Sequence, residues 1–142
     1  MAVLPFDTLY IPNLGGGIAL DLKRYIQAGS RTRVIEDQKT AQALLELGAE
    51  TKGRNILSLS GAGRVRELQL VHRVTFRVHD GKGGEFIPMT TLVTTRDLTY
   101  NDTDILAKEA EEATLYREMQ ADMVQQILRR LAAAQPAKPV VQ

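Results

Sequence analysis

The sequence predicts a single α+β domain, and three observations carry that prediction. At 142 residues the chain has the length of one domain with one core. From Val65 to His79, Leu68, Leu70, Val74, Phe76 and Val78 alternate with Glu67, Gln69, Arg73, Thr75 and Arg77, the period-2 pattern of a long, half-buried strand. From Leu106 to Leu131, "LAKEAEEATLYREMQADMVQQILRRL" reads as one long helix. Its apolar stripe collects Leu106, Ala113, Tyr116, Met123, Val124, Ile127 and Leu131, enough to seat it on a sheet.

The other elements follow in chain order. "TLYI" (Thr8 to Ile11) is a short strand closed by Pro12 and the turn-rich "NLGGG". In "IALDLKRYIQAG", Ile18, Leu22, Tyr25 and Ile26 fall at helical spacing, and Gly29 stands where a left-handed C-cap is wanted. "TRVI" (Thr32 to Ile35) offers a brief strand. In "AQALLELGAE" the alternation of Leu45, Leu47 and Ala49 suggests another, although the same residues are good helix formers. After the long strand, "DGKGG" supplies the positive-φ residues of a hairpin turn, and "EFIPMTTLVTTRDLTY" returns as a Thr-rich partner. Pro88 cannot donate to a ladder, which places its part of that strand at an edge or a bulge. Asn101, Asp102 or Thr103 can cap the long helix, and Arg129 and Arg130 complement its negative end. "AAAQPAKPVVQ" has little to bury, so the domain is expected to occupy residues 1–134 and a flexible tail residues 135–142.

Composition narrows the function classes. A net charge of +1 gives no global attraction to nucleic acid, so any anionic ligand must be held by a local cluster. With no cysteine, disulfides, thiolate metal sites and a cysteine nucleophile are excluded. No apolar run approaches a membrane span, and "MAVLPFDTLYI" lacks the order of a signal peptide.

Few motifs point to catalysis. "GGG" at Gly15 to Gly17 precedes a helix, yet neither a P-loop Lys-Ser/Thr nor dinucleotide-type glycine spacing accompanies it, which leaves a flexible lead-in to the helix. Ser58 and Ser60 in "LSLSGAG" do not form a G-x-S-x-G elbow, and a turn is the simpler reading. His72 and His79 point to opposite faces of one regular strand and cannot chelate together; His72 reads as a core histidine. Glu111 and Glu112 sit on a helix whose polar face would be solvated in any case. No catalytic residue, metal site or cofactor is predicted. What remains is a basic set, Arg64 and Arg66 beside the Gly-rich loop and Lys108 in the first turns of the long helix. Arginine suits bidentate phosphate binding and lysine adds a point charge, whereas on pattern alone each is an ordinary surface cation.

One stretch is more specific. "VTTRDLTYNDTDILAKEAEEATLYREMQADMVQQILRRL", Val93 to Leu131, resembles the C-terminal half of the lipopolysaccharide-assembly lipoprotein family LptE, also called rare lipoprotein B. "GRVRELQLVHRVTFRV" is similar to that family's central strand, and "LPFDTLYI" resembles its first. The likeness runs from about Leu4 to Leu131 and is weakest between Ile35 and Ser60.

The resemblance implies an α+β sandwich with two helices packed on one face of a four-stranded mixed sheet. It implies a non-enzymatic, periplasm-facing outer-membrane lipoprotein that plugs the lumen of the β-barrel LptD as a heterodimer and helps deliver lipopolysaccharide to the cell surface. A polar surface on nearly every side suits a plug, because barrel interiors are polar. The charged helix face, with Glu111, Arg117, Glu118 and Arg129, would meet barrel wall or trapped water. Lipopolysaccharide-binding cations carry over to Lys108, inside "LAKE", and to Arg64 and Arg66 across a loop of variable length. The family's signal peptide and acylated cysteine are not in this sequence, so the chain is expected to be a soluble, unanchored form with Met1 supplied as its start. The alternative is a periplasmic protein-interaction domain that does not bind lipid.

Overall fold

The computed structural model describes residues 3–12, 17–100, 105–135 and 138–139. Its elements are β1 (Thr8–Tyr10), α1 (Gly17–Gly29), β2 (Arg33–Val34), β3 (Ala43–Leu59), β4 (Val65–His79), β5 (Gly84–Thr99), α2 (Ile105–Ala133) and β6 (Lys138–Pro139). They form one sheet in the order β2-β1-β3-β4-β5-β6, parallel across β2-β1-β3 and antiparallel from there on. The sheet is mixed, as expected, but it has five strands where four were implied, with the two-residue β6 as a further pairing. The extra strand is β2, which "TRVI" foreshadowed: Arg33 and Ile35 donate to the carbonyls of Asp7 and Leu9 at 2.9 Å each. Thr32 adds a buried hydrogen bond from its hydroxyl to the Phe6 carbonyl, 2.8 Å.

The alternation in β4 does what period 2 requires. Leu68, Leu70, His72, Val74, Phe76 and Val78 are buried on the helix side of the sheet, and both helices share that core: Ile18, Leu22 and Ile26 of α1 pack with Met123, Val124, Ile127 and Leu131 of α2 over Leu45, Phe76 and Leu92. Each such fully buried side chain contributes roughly 1.5–3 kcal/mol of transfer free energy. The β4–β5 turn has its expected chemistry, with Gly81 and Gly83 at φ 74° and 91° and Asp80 accepting from the amides of Lys82 and Gly84. Those two bonds hold the Asp80 carboxyl below its ordinary value. Pro88 falls where the register shifts between Ile87 and Thr90, the bulge its missing N–H demands.

Three local expectations are corrected. Gly29 is not left-handed; α1 ends instead through Ser30, whose amide and hydroxyl both donate to the Ile26 carbonyl at 3.0 and 2.6 Å. On α2, Leu106 is 78% exposed and Ala113 is exposed, because only the C-terminal half of the helix lies on the apolar core; the inward positions nearer its start are Glu112, half-buried Tyr116 and Met119. Third, β3 does not stop near Glu50. It runs on to Leu59, pairing with β4 along the whole way, and this second half is almost entirely exposed. The proposed caps Asn101, Asp102 and Thr103, with Gly15 and Gly16 of the glycine run, lie outside the described residues.

Candidate functional site

The extension of β3 makes an arm. Beyond Glu50, β3 runs on beside β4 while β4 stays paired with β5 as far as Glu67 and Thr99, and only past that point does a two-stranded hairpin remain, closed by Ser60 to Arg64. There the Ser60 amide donates to the Arg64 carbonyl at 2.7 Å, Gly63 adopts φ 78°, and the Ser60 hydroxyl accepts from the amides of Ala62 and Arg64. Ser60 is thus occupied in holding the turn. No hydrogen bond among the described residues joins Ser58 or Ser60 to a histidine or carboxylate.

The main core cluster does not extend to this part of the fold, where Leu68 and Leu70 of β4, Leu98 of β5 and Met119 of α2 are buried instead, and β3 itself, exposed here, meets α2 through polar contacts. Arg54 makes a bidentate pair with Glu112, 2.7 and 2.9 Å; the Tyr116 hydroxyl donates to the Gly53 carbonyl at 3.0 Å; and Lys52 lies 5.8 Å from the Tyr116 ring centre. Burial, reinforced by the Glu112 charge, raises the Tyr116 phenol above its ordinary 10.0. Glu112 is therefore not part of a solvated face; it is buried, whereas Glu111 stays out and meets Lys108 at 3.1 Å. The two histidines are also accounted for. His72 is fully buried, with Nε2 2.9 Å from Glu50, its Nδ1 unpartnered, and its register partner Thr94 carrying a second buried, unpartnered hydroxyl. His79, on the opposite face, has Nε2 2.7 Å from Glu46 and accepts from the Gly81 amide at Nδ1.

These contacts bring the three predicted cations to one end of the molecule. Arg64 closes the arm's turn, and Arg66 is the second residue of β4, its carbonyl accepting from the Tyr100 amide at 2.7 Å. One residue before Tyr100, the Thr99 carbonyl accepts from the Lys108 ammonium at 2.6 Å. Arg64 and Arg66 are exposed, while the Lys108 side chain is only 20% exposed. Among the described residues Lys108 has Thr99 and Glu111 as partners, which leaves one of its three donors.

The sequence reading missed the apolar company of these cations. Ile56, Leu57 and Leu59 on the arm, and Ile105 and Leu106 at the start of α2, are 45–78% exposed at the same end. The available signal was "NILSLSGAGRVR", apolar residues on both faces of a strand running straight into a basic turn.

β5 has a related local feature. Beyond Glu85 no described strand pairs with its outer side. The Tyr100 amide faces β4, so the Thr99 and Thr95 carbonyls face outward by the pleat. Lys108 donates to the first, Arg96 to the second at 2.8 Å, and Thr90 bonds the Pro88 carbonyl at 2.7 Å.

These observations define a class: a two-layer α+β domain whose distinctive surface is a basic and apolar end where the β3–β4 turn meets the end of β5 and the start of α2. The chain belongs to the LptE family, described as lipopolysaccharide-assembly, whose profile matches residues 1–131. Three solved structures are similar. The solution structure of an uncharacterized lipoprotein B from Nitrosomonas europaea is 40% identical, with TM-score 0.81 over 92% of this chain and 85% of that one. The rare lipoprotein B of Shewanella oneidensis (23% identity, TM-score 0.75, 89% and 92% covered) and a minor lipoprotein of Acinetobacter baumannii (23%, 0.73, 95% and 98%) share the fold. No curated protein matches significantly. Among the described residues no helix is long and apolar enough to cross a membrane.

Proposed function

We propose that this chain is a non-enzymatic lipopolysaccharide-assembly lipoprotein of the outer membrane, facing the periplasm, that binds lipopolysaccharide at its basic and apolar end and seats in the lumen of the LptD β-barrel. One observation supports the binding reading above the others. Arg64, Arg66 and Lys108 stand at the same end as five exposed large apolar side chains, and a lipid with phosphates and acyl chains calls for both chemistries together. Cations would take the phosphates, the arginines by two-pronged hydrogen bonds and Lys108 by its remaining donor. Ile56, Leu57, Leu59, Ile105 and Leu106 would cover part of the acyl chains. No bond is made or broken in this role.

The test uses purified chain and purified lipopolysaccharide. Because Lys108 also braces Thr99, Arg64→Glu with Arg66→Glu is measured first, then Lys108→Met, then all three changed to Glu. Binding should fall with the double variant, fall further with the triple, and weaken as salt rises, since Arg64 and Arg66 are exposed. A triple variant that binds as well as the parent overturns the site and leaves the barrel role standing. The barrel role has its own experiment: expression in a Gram-negative cell with a lipoprotein signal peptide and acylated cysteine, followed by identification of what co-purifies from outer membrane. A near-stoichiometric large β-barrel is expected. Recovery of the anchored, folded protein alone, with no affinity for lipopolysaccharide, would favour a protein-interaction domain that ignores lipid.

A further inference from the structure

The opposite end of the molecule carries a second amphipathic feature. Between the C-terminal halves of α1 and α2 lies a groove of about 320 Å³, at the lower bound of small-molecule sites (roughly 300–1,000 Å³). Leu4, Tyr25, Ile26, Leu128 and Ala132 line it with apolar surface, and Arg129 stands on its rim. Leu128 lies about 30 Å from Lys108 along α2, at about 1.5 Å per residue, so this groove is separate from the basic and apolar end described above.

Its electrostatics favour an anion. Arg129 also borders a neighbouring hollow with Arg130, and neither arginine has an ion pair or hydrogen bond among the described residues. Neither hollow is lined by a carboxylate. The C-termini of both helices, at Gly29 and Ala133, come to this end and each contributes a partial charge of about −0.5. Two full guanidinium charges outweigh two half charges, and the end remains positive. Tyr25, 48% exposed on the groove wall, presents an apolar ring with a polar tip, the chemistry of a side chain at headgroup depth.

We propose that this groove takes one acyl chain of an anionic bilayer phospholipid, with the phosphate held by Arg129 and Arg130. The N-terminal segment itself, through Leu4, makes one wall. The choice of a bilayer phospholipid rests on the lipoprotein reading above, because an N-terminal anchor would bring this end to the membrane surface. The groove's chemistry, an aliphatic slot beside two unpaired guanidinium groups, does not.

The experiment is a solution NMR titration of the full chain with short-chain phosphatidylglycerol below its micelle concentration, with short-chain phosphatidylcholine as the uncharged-head comparison. Saturable shifts at Tyr25, Gly29, Leu128 and Ala132 are expected with the first lipid and much weaker ones with the second. Arg129→Gln with Arg130→Gln should weaken the phosphatidylglycerol affinity about tenfold, the loss of roughly one charge-assisted hydrogen bond at an open site. Ala132→Phe, which fills the groove from an exposed position, should abolish the shifts while the rest of the spectrum stays native. Equal response to both lipids, or shifts confined to Arg64, Arg66 and Lys108, overturns the proposal. So do groove shifts that appear with protein concentration alone, which would make a second copy of the chain the occupant. None of these outcomes depends on lipopolysaccharide binding, so failure here and failure of the assembly reading are told apart.

Discussion

The Arg54–Glu112 pair, which fixes the arm to α2, is unequal in a way that predicts unequal consequences. Side-chain exposure is 57% for the arginine and 11% for the glutamate. Removing the arginine strands a carboxylate in a site largely closed to water, whereas removing the glutamate leaves a guanidinium that can turn into solvent. Arg54→Met keeps the aliphatic stem and deletes the charge; it should cost about 2 kcal/mol, between the values for exposed pairs and for a stranded buried charge. Glu112→Ala should cost about 1 kcal/mol, since the lost bonds are partly returned as hydration of Arg54 and as helix propensity. The double variant should then be more stable than Arg54→Met alone. Urea unfolding followed by far-ultraviolet circular dichroism resolves the difference, and in thermal melts each 1 kcal/mol corresponds to about 4 °C for a domain of this size. A double variant less stable than Arg54→Met would show that the carboxylate is not stranded, and the account of the pair would fall.

Other predictions concern the frame around the site. Asp80 is held below its ordinary 3.8 by the amides of Lys82 and Gly84, so its stabilising contribution is fully present above that value and is lost as pH falls through the lower folded value; Asp80→Asn should lower stability at neutral pH and flatten the loss seen in acid denaturation below about pH 4. Gly63→Ala forces a side chain into φ 78° at the tip of the arm and should cost about 1–2 kcal/mol of arm order, read by hydrogen exchange at Ser60 and Arg64, with the core amides unchanged. Met123→Ala, at a fully buried position shared by both helices and the sheet, should cost about 2–5 kcal/mol in equilibrium unfolding, far more than Leu106→Ala at an exposed one.

The parts of the fold legible in the sequence were those where burial imposes a period. β4 alternates because one face meets the helices and the other meets water, and the β4–β5 turn needs glycines at Gly81 and Gly83, so both were readable. The second half of β3 was not. Thr51 to Leu59 lies beyond the core and is exposed on both faces, so no pattern distinguishes it from a loop. The limit of the main core cluster also bears on the misread stripe on α2. Leu106 and Ala113 satisfy helical spacing, yet the sheet beneath that part of the helix offers Arg54 and Gly53 as partners, and Glu112 and Tyr116 turn inward instead. Of the candidate site, the identities of Arg64, Arg66 and Lys108 could be named from a family likeness. That Lys108 is already bonded to Thr99 could not, because the contact depends on where the last turn of β5 meets the start of α2.

The outward rim of β5 has a bearing on the chain's life before it meets a partner. A long, Thr-rich strand with unpaired backbone is a template on which like strands stack. Here some of the acceptors along that rim are occupied, the Thr95 carbonyl by Arg96 and the Thr99 carbonyl by Lys108, while the Pro88 carbonyl is taken by Thr90 and Pro88 has no N–H to donate. Lys108, proposed above as a cation for a ligand, thus also closes one of the acceptors at which a like strand would pair.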